Sequence, residues 1–295
     1  MTQNDKLPIC DYEGSDYQQI FWDSGQRAYE DRVETIALKR LLSQQGDILL
    51  EIGAGAGRNT PRYQGFRKIV LLDYSVSQLR LAQKRLGNED RYLYVAGDAY
   101  HLPFVSGIFD AATMIRTLHH LKEAPLALKE TRRVLRKEGV FILEYANKQN
   151  IKAILRYWLG KQNWDPFDEI AVEFAPLNFD FHPQAIRNWL ESSGFRVQKQ
   201  LTVSHFRIGF LKRWMPLNLL VWLDSLAQWT GDWWQLSPSV FLRAEAIGDS
   251  PAKKEGAFFA CPKCGNDLSE ENKQAMLCSS CGSVWEIKDG IYIFK

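Results

Sequence analysis

From residue 48 onward, short apolar runs alternate with amphipathic ones, and this alternation constrains the fold more than any other feature of the chain. The runs ILLEIG (48–53), KIVLLD (68–73), RYLYVAG (91–97), FDAATMI (109–115) and GVFILEY (139–145) are largely continuous in apolar character, as in strands covered on both faces. Between them, SQLRLAQKRL (77–86) and APLALKETRRVL (124–135) carry apolar residues at helical spacing. Buried strands separated by helices read as βαβ units and predict a parallel α/β sheet. A helix over 182–193, with Pro183 in its first turn and Gly194 after its end, precedes two more strands at 195–204 and 239–248. Residues 17–45 also place apolar residues at helical spacing.

Two segments, 147–181 and 205–236, do not fit a minimal α/β unit. Together with the helix between them they hold eight of the ten tryptophans. The stretch 248–256 (GDSPAKKEG) reads as a polar linker, so the expected organisation is a sheet domain over 1–247 and a small tail over 257–295. The net charge of +2 is too small for an obligate nucleic-acid binder. The first ten residues have no apolar core of a signal sequence and no run is long enough to span a bilayer, so a cytoplasmic location is expected.

The first strand runs into a glycine turn, LLEIGAGAGRNT (49–60). A dinucleotide turn needs G-x-G-x-x-G, but Gly53, Gly55 and Gly57 give G-x-G-x-G, with Arg58 in the slot of the last glycine. The turn is expected to open a helix, so that backbone N–H groups and a helix N-terminus face a ligand. Asp73 ends the second strand, where a carboxylate can accept both hydroxyls of a ribose. Asp98 follows the third strand and can accept from an exocyclic amine. Three strand ends thus converge on one adenosine-sized crevice at the carboxyl edge of the sheet.

The tail has its own chemistry. Cys261, Cys264, Cys278 and Cys281 form C-x2-C-x13-C-x2-C, with Gly265 and Gly282 just beyond each pair. Four thiolates at that spacing satisfy a tetrahedral Zn(2+), and so short a segment needs such a staple to fold. Between 257 and 295, four lysines face five acids, the wrong balance for a phosphate clamp.

EIGAGAG, LLDYS, GDAYHLPF, FDAATMIRTLHHL and RVLRKEGVFILEY, in that order, resemble the successive motifs of class I S-adenosylmethionine-dependent methyltransferases, in the branch of the ubiquinone- and menaquinone-methylating enzymes. The resemblance implies a Rossmann-like seven-stranded sheet with helices on both faces; the 147–181 insertion and the helix at 217–229 are expected to form an inserted helical lid over the acceptor. It also implies S-adenosyl-L-methionine as cofactor. Glu51, Gly53, Ala54 and Gly55 would line the methionine end, Asp73 would hold the ribose and Tyr74 would flank the adenine. Asp98 and the Ala99 backbone would meet the adenine edge, with Ile115 and Arg116 near the sulfonium. The tail resembles the small zinc-ribbon protein that activates several RNA- and protein-methylating enzymes, except that Tyr292 stands where that family's D-G-I-P ending has proline.

Methyl transfer from a sulfonium chiefly requires positioning, and a base only where the acceptor must lose a proton. After the fourth strand the chain reads MIRTLHHL, without the (N/D)-P-P-(Y/F) turn of amine and amide methylation and without the cysteine of pyrimidine-carbon methylation. His119 and His120 are the visible candidates for a base. Cys10 reads as an unremarkable thiol, and Tyr12, Tyr17 and Trp22 as residues that close over a site or simply pack.

The expected function is methylation of a small or lipid-like acceptor under an aromatic lid. The rivals are an RNA or protein methyltransferase with a fused ribbon and a non-catalytic cofactor-binding regulator. On a helical wheel, 217–229 groups Leu219, Leu220, Trp222, Leu223, Leu226, Ala227 and Trp229 opposite Asn218, Asp224, Ser225 and Gln228. Its apolar half is expected to face inward, against the core or the acceptor. Peripheral membrane contact is the weakest option, because the polar half carries Asp224 and no base.

Overall fold

The computed structural model of the chain describes residues 7–15, 20, 22, 25, 27–42, 45–248, 256–272 and 274–295. Parts of the stretch expected to be helical over 17–45, Tyr17 among them, and most of the linker at 248–256 lie outside the described residues. Helix α1 (Ala28–Leu41) leads into β1 (Gly46–Ile52), and β2 (Phe66–Asp73), α2 (Val76–Leu86) and β3 (Tyr92–Gly97) follow. Next come β4 (Phe109–Met114), α3 (Ala124–Val134) and β5 (Leu135–Ala146). An insertion holds α4 (Ile151–Trp158) and a hairpin of β6 (Val172–Ala175) and β7 (Asn178–Asp180). After α5 (Pro183–Ser192) and β8 (Phe195–Val203), a second insertion contributes α6 (Gly209–Trp214) and α7 (Leu217–Ala227) before β9 (Ser239–Ala246).

These strands form one sheet in the order β3-β2-β1-β4-β5-β9-β8. The first five are parallel, and β9 runs antiparallel to both β5 and β8. Successive side chains of each strand bury on opposite faces. Leu50 and Ile52 pack with Ala127, Leu128 and Ile186 of α3 and α5. Leu49, Ile69 and Leu71 pack with Val33, Leu38 and Leu79 of α1 and α2 on the other side. The α/β prediction, with helices on both faces, therefore holds.

Two expectations fail. The glycine turn does not open an α-helix; it is followed only by a short 3-10 turn at Thr60–Arg62. The residues between Gly57 and β2 are few and include Pro61, too little chain for an amphipathic helix to form and return.

The second failure concerns α7, which buries Asp224 and Gln228 of its polar half and exposes much of its apolar half, although Leu220 and Val221 remain buried. Asp224 and Gln228 are fully buried, whereas Leu219, Trp222, Leu226 and Trp229 are exposed. The polar side faces α1, which supplies partners: Tyr29 donates its hydroxyl to Asp224 (2.6 Å), and Arg40 donates to Gln228 (2.8 Å) and to the Ser225 carbonyl (2.7 Å). Gln228 in turn donates to the Val33 carbonyl at 3.0 Å. A fully satisfied polar seam removes the usual cost of burying such groups, so hydropathy alone misassigns the face.

The tail extends the same sheet. Strands β10 (Phe259–Ala260), β11 (Asp267–Asn272), β12 (Ala275–Leu277), β13 (Val284–Lys288) and β14 (Ile291–Phe294) follow one another as antiparallel neighbours. Strand β14 then pairs in parallel with β3, Ile291 opposite Tyr94 and Phe294 opposite Gly97. An edge strand that would otherwise offer unpaired backbone groups is thereby covered. Phe259 stacks on Phe104 (5.8 Å between centroids) and packs against Phe294 (5.1 Å) and Tyr292 (4.8 Å). Tyr292, the departure from the D-G-I-P ending, thus fills the seam between tail and sheet.

Candidate functional site

Asp73, Gly97 and Ile115, at or just beyond the carboxyl ends of β2, β3 and β4, line one crevice together with the turn after β1. Its volume is about 1000 Å³ including the open mouth, large enough for a nucleoside-sized ligand. The glycines each answer a different demand. Gly53, at φ +72°, sits where a Cβ would lie 2.0 Å from the Thr117 hydroxyl, and Gly57, at φ +70°, faces Leu86 and Ala82. Gly55, at φ +52°, has nothing within 4 Å of where a Cβ would stand, so the backbone there opens to a ligand.

Asp73 lies half-buried beneath this turn, on the crevice wall. It accepts from the Gly55 N–H (2.8 Å) and the Ser75 N–H (2.9 Å), which fixes the carboxylate against the loop. Burial raises its pKa, and those two N–H groups offset part of the rise. Asp98 accepts from the Tyr100 N–H at 2.8 Å and lies beside the His101 ring.

Of the predicted cofactor residues, Gly53, Ala54, Gly55, Asp73, Tyr74, Asp98, Ala99 and Arg116 all line the crevice, as does Ile115. Glu51 does not. It lies below the turn, fully buried, accepting from Thr60 (2.6 Å) and Tyr63 (3.4 Å), and burial pushes its pKa up to about 7. The sequence places it next to the glycines, but strand alternation points it away from the opening.

Arg58 explains why no glycine stands in the last dinucleotide slot. Its guanidinium bonds Asp31 (2.5 Å) and Glu34 (2.8 Å) of α1 and stacks on Trp22, 3.6 Å from the ring centroid. Arg116 reaches the same Glu34. Burial alone would raise Glu34, but the guanidinia of Arg116 and Arg58 outweigh it and hold the carboxyl low. This ion-pair cluster ties α1 and Trp22 to the crevice wall. Arg116 itself sits at φ +58°, an unfavourable conformation for an arginine, held by donation of its N–H to Glu144 at 2.9 Å.

The two histidines separate. His120 lines the crevice; His119 lies half-buried behind it with its ring centroid 3.9 Å from that of His120, and its Nδ1 makes no hydrogen bond among the described residues. The Nδ1 of His120 lies 3.1 Å from the Leu177 carbonyl of the inserted hairpin and must donate there. In the neutral ring, Nε2 is then left to accept from the Tyr12 hydroxyl, 3.1 Å away. Burial lowers the His120 pKa, which favours that neutral form. Ile9 and Cys10 join Tyr12 and Trp22 on the wall. The N-terminal segment thus closes over the site, a role the sequence left open for Tyr12 and Trp22 and did not suggest for Cys10. No residue of α7, Trp222 included, lines the crevice.

In the tail, the four cysteine sulfurs lie within 4.8 Å of one another. Cys261 is 3.7 Å from Cys281 and Cys264 is 3.4 Å from Cys278. Four thiolates around a zinc ion at about 2.3 Å would stand roughly 3.8 Å apart, so the cluster fits that ion. Two matching turns build it: Gly265 and Gly282 donate to the Cys261 and Cys278 carbonyls, and Cys261 and Cys278 donate to Asn266 and Ser283. At the far end of the tail, Lys295 donates to the Tyr74 carbonyl (2.9 Å) and lies over its ring. The ribbon therefore buttresses a crevice residue.

Residues 50–143 match the family model described as a methyltransferase domain. Residues 50–143 thus carry a methyltransferase domain. The chain is 29% identical over 172 residues to the demethylmenaquinone methyltransferase of Thermotoga maritima, covering 53% of this chain and 73% of that protein. It is 33% identical over 102 residues to the enzyme of that name from Thermobifida fusca, covering 33% of this chain and 43% of the other. The chain thus spans less than half the length of several curated relatives it matches.

Among solved structures, a likeness of fold alone links it to a protein described as an S-adenosylmethionine-dependent methyltransferase from Listeria monocytogenes, at TM-score 0.55 and 16% identity over 75% of this chain and 100% of that one. The complex between the Haloferax volcanii Trm112 methyltransferase activator and a protein assigned as a methyltransferase gives 0.56 and 15% over 79% and 96%. A [4+2]-cyclase gives 0.52 and 18% over 74% and 82%. A fold shared with a cyclase does not by itself fix the chemistry.

Proposed function

We propose that the chain is an S-adenosyl-L-methionine-dependent methyltransferase acting on a small, lipid-like acceptor, with the zinc ribbon fused as a buttress. The observation that carries this reading is the convergence of the glycine turn, Asp73, Asp98 and Arg116 on one crevice that the N-terminal segment closes. The cofactor supplies a methyl group already activated on sulfur. The chain's own residues then have to bind, orient and exclude water. In this reading Asp73 holds the ribose hydroxyls, Asp98 and the Ala99 backbone meet the adenine, and Tyr74 flanks it. Gly53, Ala54 and Gly55 admit the methionine end, near Ile115 and Arg116, while Glu51 supports the turn from below.

Ile9, Trp22, Ile115 and Leu121 give the wall an apolar character suited to an apolar acceptor, and the menaquinone-related names of the relatives support that class. For an acceptor that must lose a hydroxyl proton, we assign its uptake to the Nε2 of His120, with the Tyr12 hydroxyl hydrogen-bonded to it as the relay. His119 has no such role. We take 1–247 as the catalytic unit, 248–256 as a linker and 257–295 as the ribbon, with one structural zinc on Cys261, Cys264, Cys278 and Cys281.

A second reading, methylation of RNA or protein, draws on the ribbon seated on β3 and on the activator complex among the structural neighbours. One experiment separates them. The purified chain is incubated with methyl-labelled cofactor and an extract divided into organic-soluble, RNA and protein fractions. The proposal expects label in the organic phase; label confined to RNA or protein would transfer the assignment to the second reading, and label nowhere would leave only a cofactor-binding protein.

A further inference from the structure

The apolar face that α7 turns outward has a counterpart on α4. Ile151, Leu155 and Trp158 form an exposed stripe there at helical spacing, and Phe210 and Trp214 of α6 are exposed as well. Six of the ten tryptophans are exposed, all in these insertions; Trp158, Trp214 and Trp233 are 70%, 71% and 80% accessible. The elements meet: Lys152 of α4 donates to the Arg207 carbonyl before α6 (2.7 Å), and the Ile151 N–H donates to the Leu236 carbonyl (2.9 Å). Exposed apolar surface on this scale marks an interaction site rather than ordinary surface.

Charge identifies the partner. Residues 149–164 and 205–223 contain six basic residues and no acid; Arg207 and Lys212 pair with the buried Glu30 of α1, which leaves Lys152, Arg156, Lys161 and Arg213 to meet a partner. The acid that the helical wheel sets against membrane contact, Asp224, is fully buried on Tyr29 and His205 and contributes nothing to the outer face. A two-fold contact between copies would set these bases against the same bases, with no acid from the two stretches to offset them. A lipid surface has no such difficulty: tryptophans settle at headgroup depth, aliphatic side chains enter the acyl boundary, and lysines and arginines meet anionic headgroups. No helix among the described residues is long and apolar enough to cross a membrane, so the mode is peripheral.

We propose that α4, α6 and α7 form a docking face for an anionic phospholipid bilayer. The inference does not rest on methyl transfer: a chain that methylates but ignores vesicles refutes it and leaves the proposed function standing. The test is co-sedimentation of the full-length protein with phosphatidylcholine vesicles, with and without phosphatidylglycerol, at low and high salt. Binding should require the anionic lipid and weaken with salt. Joint substitution Trp158→Ser and Trp222→Ser should reduce partitioning at least about tenfold, at unchanged zinc content and cofactor affinity. Should that variant fold poorly, Arg156→Gln with Arg213→Gln neutralises two exposed charges and should reduce the preference for anionic vesicles. Absence of vesicle binding by the parent protein would overturn the proposal. So would a dimer in sedimentation velocity that the tryptophan variant dissolves, which would assign the face to a second copy.

Discussion

Replacing Glu51 by glutamine should make the protein more stable at alkaline pH than at acid pH relative to its parent. Glu51 is fully buried, and its pKa rises from 4.5 to about 7 because burial penalises the charged form. Arg58 and Arg62 pull in the other direction without cancelling that penalty. Between those two values the native protein keeps a proton that the unfolded chain has released. The unfolded state then binds fewer protons, so stability falls as pH rises through this window. At about 1.4 kcal/mol per pKa unit, the penalty is on the order of 3 kcal/mol above pH 7 and absent below pH 4.5. In Glu51→Gln the amide oxygen still accepts from Thr60, but the bond from Tyr63 has to be remade, at roughly 1 kcal/mol. The variant should be slightly less stable than the parent at pH 4.5 and about 2 kcal/mol more stable at pH 8. Urea unfolding of both proteins across that range measures the difference, with equal m-values as the control. Two curves that stay parallel across the range would refute the reasoning, because the buried carboxyl would then carry no ionisation penalty.

Asp73→Ala should weaken cofactor binding at least about tenfold by calorimetry, since hydrogen bonds to a charged acceptor contribute roughly 1.5–3 kcal/mol each; unchanged affinity would remove Asp73 from the ribose site. Gly53→Ala should destabilise the fold strongly, because φ is positive and the methyl group would strike Thr117; thermal melts check this. Cys264→Ser should release one zinc per chain and loosen the ribbon, because metal binding and folding are coupled in such modules, as metal analysis and amide exchange on β3 and β14 would report.

The strand pattern was the most legible part of the sequence. The strands expected at 48–53, 68–73, 91–97, 109–115 and 139–145 all form, because residues covered on both faces leave a continuous apolar signature. The crevice was legible for a related reason: open α/β sheets bind at strand ends, and the motif residues sit there. Three features were not. The missing helix after Gly57 depends on how little chain precedes β2, a length effect that motif matching ignores. The orientation of α7 depends on Tyr29, Arg32 and Arg40, which lie far away in sequence and satisfy its polar side. The seating of the ribbon is a pairing of β14 with β3, two strands with nearly two hundred residues between them in the chain, the longest-range strand pairing among the described residues, and such pairings leave no local trace.

Isothermal titration of the purified full-length protein with S-adenosyl-L-methionine, its demethylated product and NADH tests the central claim most directly. The account predicts one site per chain for the first two ligands and no measurable heat for NADH, since Arg58 and its ion pairs occupy the place where a dinucleotide turn needs glycine. Binding of NADH at comparable strength, or no binding of either methionine-derived ligand, would contradict it.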